Sequence, residues 1–361
     1  KKTEDIKIIK YLKIYFTLMN INPQKLINWL KDNSIHYEEN LEIKYRSWIK
    51  AGGIIKFYIN PDSNEQCQKL ILYFSQNNCE FYVLGNMSNI IIRDGSIYTP
   101  IINLSKLNNI EDSISNGLLK LKIGCGVSIP RFAKFVINKG YSGTEGLLGI
   151  PGSLGGGIYM NSSSYESYIS KYLIGVNVID KNGKSFYLKN AELNFSWRKS
   201  ILHETKSIVC SCEFEFPKEN NLGIKKTKIN ALNIMNHRKK FQEDRYPNLG
   251  SIFATKNIYK DLSKVSLSFY LLFIVNKVFS IIIFNFFKSK IKNYRKLVIA
   301  VYKKLLGLDK FKGFSVSDKT LNCLINKGKG QSSEAIKLLE LFDHKTKNKL
   351  KMENIILNKI N

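Results

Sequence analysis

The chain has 361 residues, which is enough for two or three domains with sizeable cores. Hydrophobic residues make up 44% and charged residues 24%, so the composition excludes a disordered or fibrous protein. The net charge of +27 comes mostly from scattered lysines, which leaves open either the base composition of an AT-rich genome or a functional basic surface. Because the charges are not clustered, we expect no nucleic-acid partner.

The six cysteines indicate reduced thiols. None belongs to a C-x-x-C pair or lies near a histidine at zinc spacing, so we expect no metal site. The opening residues, K-K-T-E-D, do not resemble a secretory signal. We therefore expect a cytoplasmic protein.

The first part of the chain predicts helix followed by mixed structure. Apolar residues at helical spacing predict a helical N-terminal extension over residues 1–40. A β-rich stretch, a helix and two short strands are then predicted at 42–60, 66–76, 79–84 and 90–92. This order is typical of a β-α-β unit.

The rest of the chain predicts further mixed elements. Asn182-Gly183 marks the tip of a hairpin over 171–188, because this dipeptide favours the tight turns of hairpins. Other strands are predicted at 118–123, 207–216 and 311–326, and helices at 129–139, 222–240 and 332–341. Residues 351–360 fit either a strand or a helix.

The stretch 146–161, G-L-L-G-I-P-G-S-L-G-G-G-I-Y-M-N, has six glycines in sixteen residues. Such a density indicates tight turns or a close approach of backbone to a ligand. It matches neither a phosphate loop nor the strand–G-x-G-x-x-G–helix pattern of dinucleotide folds.

Residues 265–287 form an apolar run. As a helix it would be about 34 Å long, enough to cross a bilayer. Polar residues still gather on one face, at Ser266, Asn276, Lys277 and Ser280. Three interpretations stay open: a buried core or interface helix, contact with a membrane surface, or a membrane span.

Glycine motifs recur in a fixed order along the chain. They are R-S-W-I-K-A-G-G at 46–53, L-G-N-M-S-N at 84–89, G-C-G at 124–126 and G-I-P-G at 149–152. Over residues 41–353 this order resembles the FAD-dependent UDP-N-acetylenolpyruvoylglucosamine reductases, also named UDP-N-acetylmuramate dehydrogenases. They belong to the flavoprotein family that includes vanillyl-alcohol oxidase.

The resemblance implies an α+β fold. A two-lobed FAD-binding domain of the vanillyl-alcohol-oxidase type would cover residues 41–217, with lobes at 41–104 and 105–217. A C-terminal α+β substrate-binding domain would cover 218–361 and hold the apolar run in an insert at 256–300.

The resemblance also implies the cofactor-binding residues. The 84–89 turn is similar to the diphosphate-cradling L-G-G-G-S-N of the family, with Asn86 and Met87 in place of two glycines. Residues 162–166, S-S-S-Y-E, stand where the family has A-G-A-Y-G. The implied FAD-binding residues are Gly52, Gly53, Gly85, Asn86, Met87, Ser88, Asn89, Gly124, Gly126, Gly149, Ile150, Gly152, Gly155, Gly156 and Asn161.

Three further motifs imply catalytic residues. F-S-W-R-K-S resembles F-G-Y-R-D-S and assigns Arg198 as the active-site arginine. G-S-I-F assigns Ser251 as the proton donor, and L-K-M-E assigns Glu353 as the catalytic glutamate. A span between Ser251 and Glu353 would separate two groups that must share one site, which argues against that interpretation.

The function implied is reduction of the enolpyruvyl double bond of a UDP-sugar, with NADPH and FAD, in peptidoglycan precursor synthesis. Two alternatives stay open: a flavin oxidoreductase for another nucleotide sugar or polysaccharide precursor, and a non-catalytic interaction module with the same fold. The oligomeric state is not indicated, and contact of 265–287 with a membrane surface or a protein partner is open.

Overall fold

The computed structural model describes residues 21–218, 220–286, 291–328 and 330–357. Residues 1–20, half of the helical extension predicted over 1–40, lie outside them, and the helical prediction is wrong at 36–40, which form a strand. The chain divides into two compact units that are discontinuous in sequence. Among the described residues, unit 1 holds 21–41, 55–86 and 96–237, and unit 2 holds 42–54, 87–95 and 238–357. The division predicted at residues 41 and 218 stays a prediction.

The described residues form helices and strands throughout both units. The helices are α1 (Pro23–Asp32), α2 (Asn64–Gln76), α3 (Ile129–Asn138), α4 (Leu154–Tyr159), α5 (Leu202–Thr205), α6 (Asn221–Phe241), α7 (Ile258–Leu262), α8 (Leu267–Phe286), α9 (Ile291–Leu306) and α10 (Ser332–Lys345). The strands are β1 (His36–Glu42), β2 (Ile54–Asn60), β3 (Tyr82–Leu84), β4 (Ile90–Ile92), β5 (Ser96–Ile97), β6 (Ile101–Asn103), β7 (Ile110–Ser115), β8 (Leu118–Gly124), β9 (Ser163–Ser164), β10 (Ser167–Tyr168), β11 (Leu173–Ile179), β12 (Ser185–Lys189), β13 (Ile208–Phe216), β14 (Asn248–Ser251), β15 (Phe314–Val316), β16 (Cys323–Asn326) and β17 (Ile355–Leu357).

The first sheet of unit 1 has the order β1-β2-β6-β3, with β5 beside β2. β6 lies parallel to both β2 and β3. Ser63 begins α2 by accepting a hydrogen bond from Gln66 N at 3.2 Å. The β-α-β unit predicted to end at 90–92 is therefore wrong in its last strand, because β4 pairs in parallel with β17 of unit 2.

The second sheet of unit 1 is antiparallel, in the order β12-β11-β13-β8-β7. The hairpin predicted at 171–188 is confirmed, and Gly183 at its tip has φ 84°. Along β8, Leu119, Leu121 and Ile123 are buried while the lysines between them are exposed. This alternation places one face of the sheet in the core of unit 1.

Unit 2 contains the three-stranded sheet β14-β16-β15 and the pair β17-β4. The single strand predicted over 311–326 is wrong, since β15 and β16 are two antiparallel strands. A turn separates them, and it is held by Lys303, whose Nζ lies 2.6 Å from Asp318. The residues between the two strands are mostly polar, so they interrupt the alternation of apolar and polar residues that predicted one strand.

Helices α8 and α9 contain the apolar run. Tyr294 of α9 donates a 2.8 Å hydrogen bond to the side chain of Asn276 in α8. Ile299, Tyr302 and Leu306 are fully buried in the core of unit 2. Among the residues that the structure describes, no helix is long and apolar enough to cross a membrane.

Candidate functional site

The glycine-rich segment of unit 1 ends in the short helix α4. Ser153 begins this helix, and its Oγ accepts a 3.5 Å hydrogen bond from Gly156 N. Gly152 has φ 131°, a value that side-chain-bearing residues rarely adopt. Gly155 N donates to Cys125 O at 2.9 Å, which fixes the start of the helix against β8. The segment thus presents bare backbone at Gly152, Gly155 and Gly156.

Gly85 lies against this helix start. A Cβ at Gly85 would collide with Ser153 Oγ, so a larger residue there would displace the serine hydroxyl. Asn103 holds the backbone on either side, since its Nδ2 donates to Leu84 O at 3.0 Å and to Gly85 O at 2.9 Å. Backbone without side chains beside a serine hydroxyl is chemistry that suits the diphosphate of a flavin dinucleotide.

Gly124 and Gly126 pack against the chain rather than onto open space. A Cβ at Gly124 would collide with Leu107 O, and a Cβ at Gly126 would collide with Leu104 O. Their absent side chains therefore let the end of β8 lie close to residues 104–107. Their direct contact with a cofactor stays a prediction.

Asn161 closes the glycine-rich segment. Its Nδ2 donates to Ser196 O at 3.0 Å, while its Oδ1 is buried without a hydrogen-bond partner in the described structure. A buried acceptor without a partner is costly, so a donor from a bound group would satisfy it. Together with the backbone cradle at Gly85, this observation shows that unit 1 fits a flavin cofactor. Gly149 and Ile150 belong to the same segment.

The hairpin β9–β10 follows directly. Its two turn residues, Tyr165 and Glu166, both have positive φ, as a type I′ turn requires. Glu166 therefore keeps the backbone geometry of a glycine. Tyr165 Oη and His237 Nδ1 lie 2.6 Å apart and join the turn to α6.

Arg198 lies in unit 1, at a turn between Ser196 and Lys199 whose backbones exchange two hydrogen bonds. Arg198 itself has φ 55° and is half-buried. Its Nη1 donates to Ser163 Oγ at 3.3 Å, and its guanidinium lies 4.9 Å from the ring of Trp197. The structure thus brings Arg198 and the end of the glycine-rich segment together.

In unit 2, the glycine pair at 52–53 packs on the strand end at 93–95. Gly53 N donates to Arg93 O at 2.9 Å, and a Cβ on Gly53 would collide with Gly95 O. Gly52 has φ 131°. Local packing therefore requires both glycines, and their contact with FAD stays a prediction.

The 84–89 turn crosses from unit 1, which holds Asn86, into unit 2 at Met87. Met87 is buried and has φ 53°, the left-handed geometry that suits glycine. Ser88 and Asn89 end the turn, and Asn89 Nδ2 donates to Glu353 O at 2.7 Å. The described contacts of Asn89 thus orient the backbone of the predicted catalytic glutamate, and its cofactor role stays a prediction.

Ser251 and Glu353 lie on neighbouring segments of unit 2. Glu353 N donates to Ile252 O at 2.8 Å, so its backbone pairs directly with the residue after Ser251. Ser251 is exposed at the end of β14, and Glu353 is half-buried. The structure therefore places the predicted proton donor and the predicted glutamate side by side.

Cys323 is the register partner of Ser251 in β16. Burial raises the pKa of the Cys323 thiol to about 12, so it stays protonated at neutral pH. All six cysteines are buried and free. Among the described residues, no group of His, Cys, Asp and Glu has the arrangement of a metal site.

The sequence did not predict the amide and hydroxyl groups that hold the backbone at Ser251 and Phe253 and the guanidinium of Arg198. Asn354 Nδ2 donates to Asn89 Oδ1 at 2.8 Å and to Ser251 O at 3.3 Å. Asn322 exchanges two 2.9 Å hydrogen bonds with the backbone of Phe253. Ser163 contacts Arg198. Their only signal in the sequence is a polar residue beside a motif.

The fold of unit 1 and its glycine cradle define the chain as an FAD-dependent oxidoreductase. Residues 55–188 match the family described as FAD binding domain. The chain is 33% identical to the UDP-N-acetylenolpyruvoylglucosamine reductase of Lactobacillus acidophilus, over 63% of the chain and 74% of the relative. It is 31% identical to the enzyme of that name from Clostridium novyi, over 62% of the chain and 70% of the relative.

The chain belongs to the UDP-N-acetylenolpyruvoylglucosamine reductase family. Its fold is also that of the crystal structure of the reductase of this name from Thermus caldophilus, with a TM-score of 0.64 at 18% identity. The match covers 90% of this chain and 100% of the other. The α+β class and the FAD-binding domain predicted from the motifs are confirmed.

Proposed function

We propose that the protein reduces the enolpyruvyl double bond of UDP-N-acetylglucosamine enolpyruvate to UDP-N-acetylmuramate, with NADPH as the reductant. This reaction is a step of peptidoglycan precursor synthesis. Bound FAD supplies the two-electron chemistry that side chains lack. The observation that carries the proposal is the hydrogen bond from Arg198 to Ser163, which holds a cation beside the flavin-fitting segment of unit 1.

Arg198 would stabilise negative charge on the substrate. Addition of a hydride to the β-carbon of the enol ether drives charge toward an enolate of the neighbouring carboxylate. A guanidinium is permanently charged and binds a carboxylate through two parallel hydrogen bonds. Because Ser163 and the ring of Trp197 both contact it, Arg198 is oriented before substrate arrives.

Ser251 would deliver the proton to the α-carbon. Its hydroxyl is exposed at the end of β14, where a substrate can reach it. A serine hydroxyl is a weak acid and needs activation by its surroundings. Glu353 lies on the segment whose backbone pairs with Ile252, and its carboxylate would orient the substrate or assist this transfer.

The location proposed is the cytoplasm. The six buried, free cysteines support a reducing compartment.

The test starts with the absorbance of purified protein in the visible flavin band. We expect bound flavin that NADPH bleaches and that the enolpyruvyl UDP-sugar reoxidises, with UDP-N-acetylmuramate as product. If NADPH bleaches the flavin but only a different nucleotide sugar reoxidises it, that sugar would be the substrate instead. A protein that neither contains nor takes up flavin would end the proposal.

A further inference from the structure

The outward face of α8 is apolar where a surface helix is normally polar. Leu267, Leu271, Val275 and Phe279 follow one another every four residues and are all exposed, Leu267 to 72%. The opposite face carries Phe269, which is buried in the core of unit 2. Since the buried face already anchors the helix, the exposed row contributes nothing to the core and is unusual for a protein in water.

Helix α9 repeats this arrangement. Leu297 and Leu305 are exposed to 62% and 48%, eight residues apart on one face. Lys296 and Lys304 are exposed directly beside them. The hydrogen bond from Tyr294 to Asn276 joins both helices in one hairpin. We name the two rows, Leu267-Leu271-Val275-Phe279 and Leu297-Leu305, the hairpin ridge.

The segment that carries the hairpin ridge is basic, and two of its lysines pair with acidic residues outside it, Lys264 with Asp261 and Lys303 with Asp318. Residues 262–308 contain eight lysines and one arginine, and no aspartate or glutamate. A second copy of the chain would bring two such segments together and would be opposed by their mutual repulsion. Nucleic acid would use the charges but would leave the apolar rows in water. An anionic bilayer satisfies both features, because its headgroups attract lysine and its acyl boundary accepts leucine and phenylalanine.

We propose that the hairpin ridge binds the surface of an anionic lipid bilayer, with α8 lying in the plane of the membrane. At 1.5 Å per residue its 20 residues extend about 30 Å along that plane. Tyr270, on the same exposed side of α8, suits the headgroup region. The inference is independent of the reaction proposed above.

The test is co-sedimentation of the full chain with vesicles of phosphatidylglycerol and phosphatidylcholine in equal parts, and with vesicles of phosphatidylcholine alone. We expect binding to the anionic vesicles that weakens with salt. The double variant Leu271→Gln/Phe279→Gln should lower the partition coefficient about a hundredfold, since each large apolar side chain contributes about tenfold. Lys296→Gln/Lys304→Gln should lower it roughly fivefold for each lysine.

The matched control is Ile114→Gln/Lys181→Gln, which removes an exposed apolar side chain and an exposed charge from unit 1. It should bind as the unchanged chain does. Equal binding to both kinds of vesicle, or unchanged binding by the hairpin variants, would overturn the proposal. So would a chain without vesicle binding, whether a dimer or a monomer by light scattering. Binding lost only on removal of residues 1–20 would assign it to that segment instead.

Discussion

The Arg198 turn and the α8–α9 hairpin both reach solvent, but with opposite chemistry. At the turn, a serine hydroxyl and an aromatic ring contact one cation, and an amide holds the backbone two residues before it. At the hairpin, rows of apolar side chains face outward, and such side chains form no hydrogen bonds. Directional contacts concentrate an effect in a few atoms, whereas apolar contacts spread it over many residues. Single substitutions should therefore change activity strongly at the site and change the stability of the hairpin only weakly.

Arg198→Ala carries the largest expected effect. Removing a preorganised charge from the developing enolate should lower kcat about a thousandfold, or about 4 kcal/mol of transition-state stabilisation. The measurement is steady-state oxidation of NADPH with the enolpyruvyl UDP-sugar. Lys199→Ala is the matched control, because Lys199 is exposed and pairs with Glu204 at 2.7 Å. Equal losses in both variants would show that the turn supplies charge in general and that Arg198 has no specific role.

Ser251→Ala should lower kcat about a hundredfold, as expected when a positioned proton donor is removed. Ser263→Ala serves as the control, since Ser263 is also in unit 2 and its hydroxyl donates to Lys260 O at 2.7 Å within its own helix end. When the reaction is run in deuterated water, the position of deuterium in the product shows which carbon receives the solvent-derived proton. Normal turnover by Ser251→Ala would remove the serine from the mechanism.

The same contrast explains what the sequence could predict. The glycine cradle, Arg198, Ser251 and Glu353 lie in motifs whose order is readable, and the hairpin at 171–188 carries its own turn signal. The amides of Asn322 and Asn354 were not predictable, because their partners are backbone groups distant in sequence. The outward direction of the rows on α8 was equally hidden, since the polar residues of that helix gather on another face, and this pattern predicts that the apolar rows lie in the core. The pairing of β4 with β17 joins residues too distant for local pattern to connect.

Asn354→Ala tests how much the directional hydrogen bonds near the site contribute to the stability of the protein. The change deletes the bonds to Asn89 Oδ1 and to the backbone of Ser251, and it leaves the Asn89 oxygen without this donor. We expect a loss of about 2 kcal/mol in the free energy of unfolding, measured in urea.

Leu271→Gln is the counterpart on the hairpin, where an exposed leucine should contribute less than about 0.5 kcal/mol to folding. A loss at Leu271 as large as the loss at Asn354 would mean that the hairpin ridge is part of the folded core, and the contrast between the two regions would fail.

Met87 offers a comparison that depends on the sign of a small difference between two variants. Left-handed backbone costs a residue with a Cβ about 1–2 kcal/mol, and glycine escapes this cost. Both Met87→Ala and Met87→Gly lose the buried side chain and should destabilise the protein. Only the glycine variant also relieves the backbone at φ 53°, so it should be more stable than the alanine variant by about 0.5–1 kcal/mol.

Met235 provides the reversed control for this pair. It is exposed within α6, where glycine should be less stable than alanine by about 1 kcal/mol. Urea unfolding of the four variants gives the difference in stability between glycine and alanine at each position, and the two differences should have opposite signs. If glycine is the less stable residue at both positions, the 84–89 turn does not keep a left-handed residue in solution. The geometry that glycine gives this turn in related sequences would then be absent here, and FAD binding would have to rely on the cradle at Gly85 and Ser153.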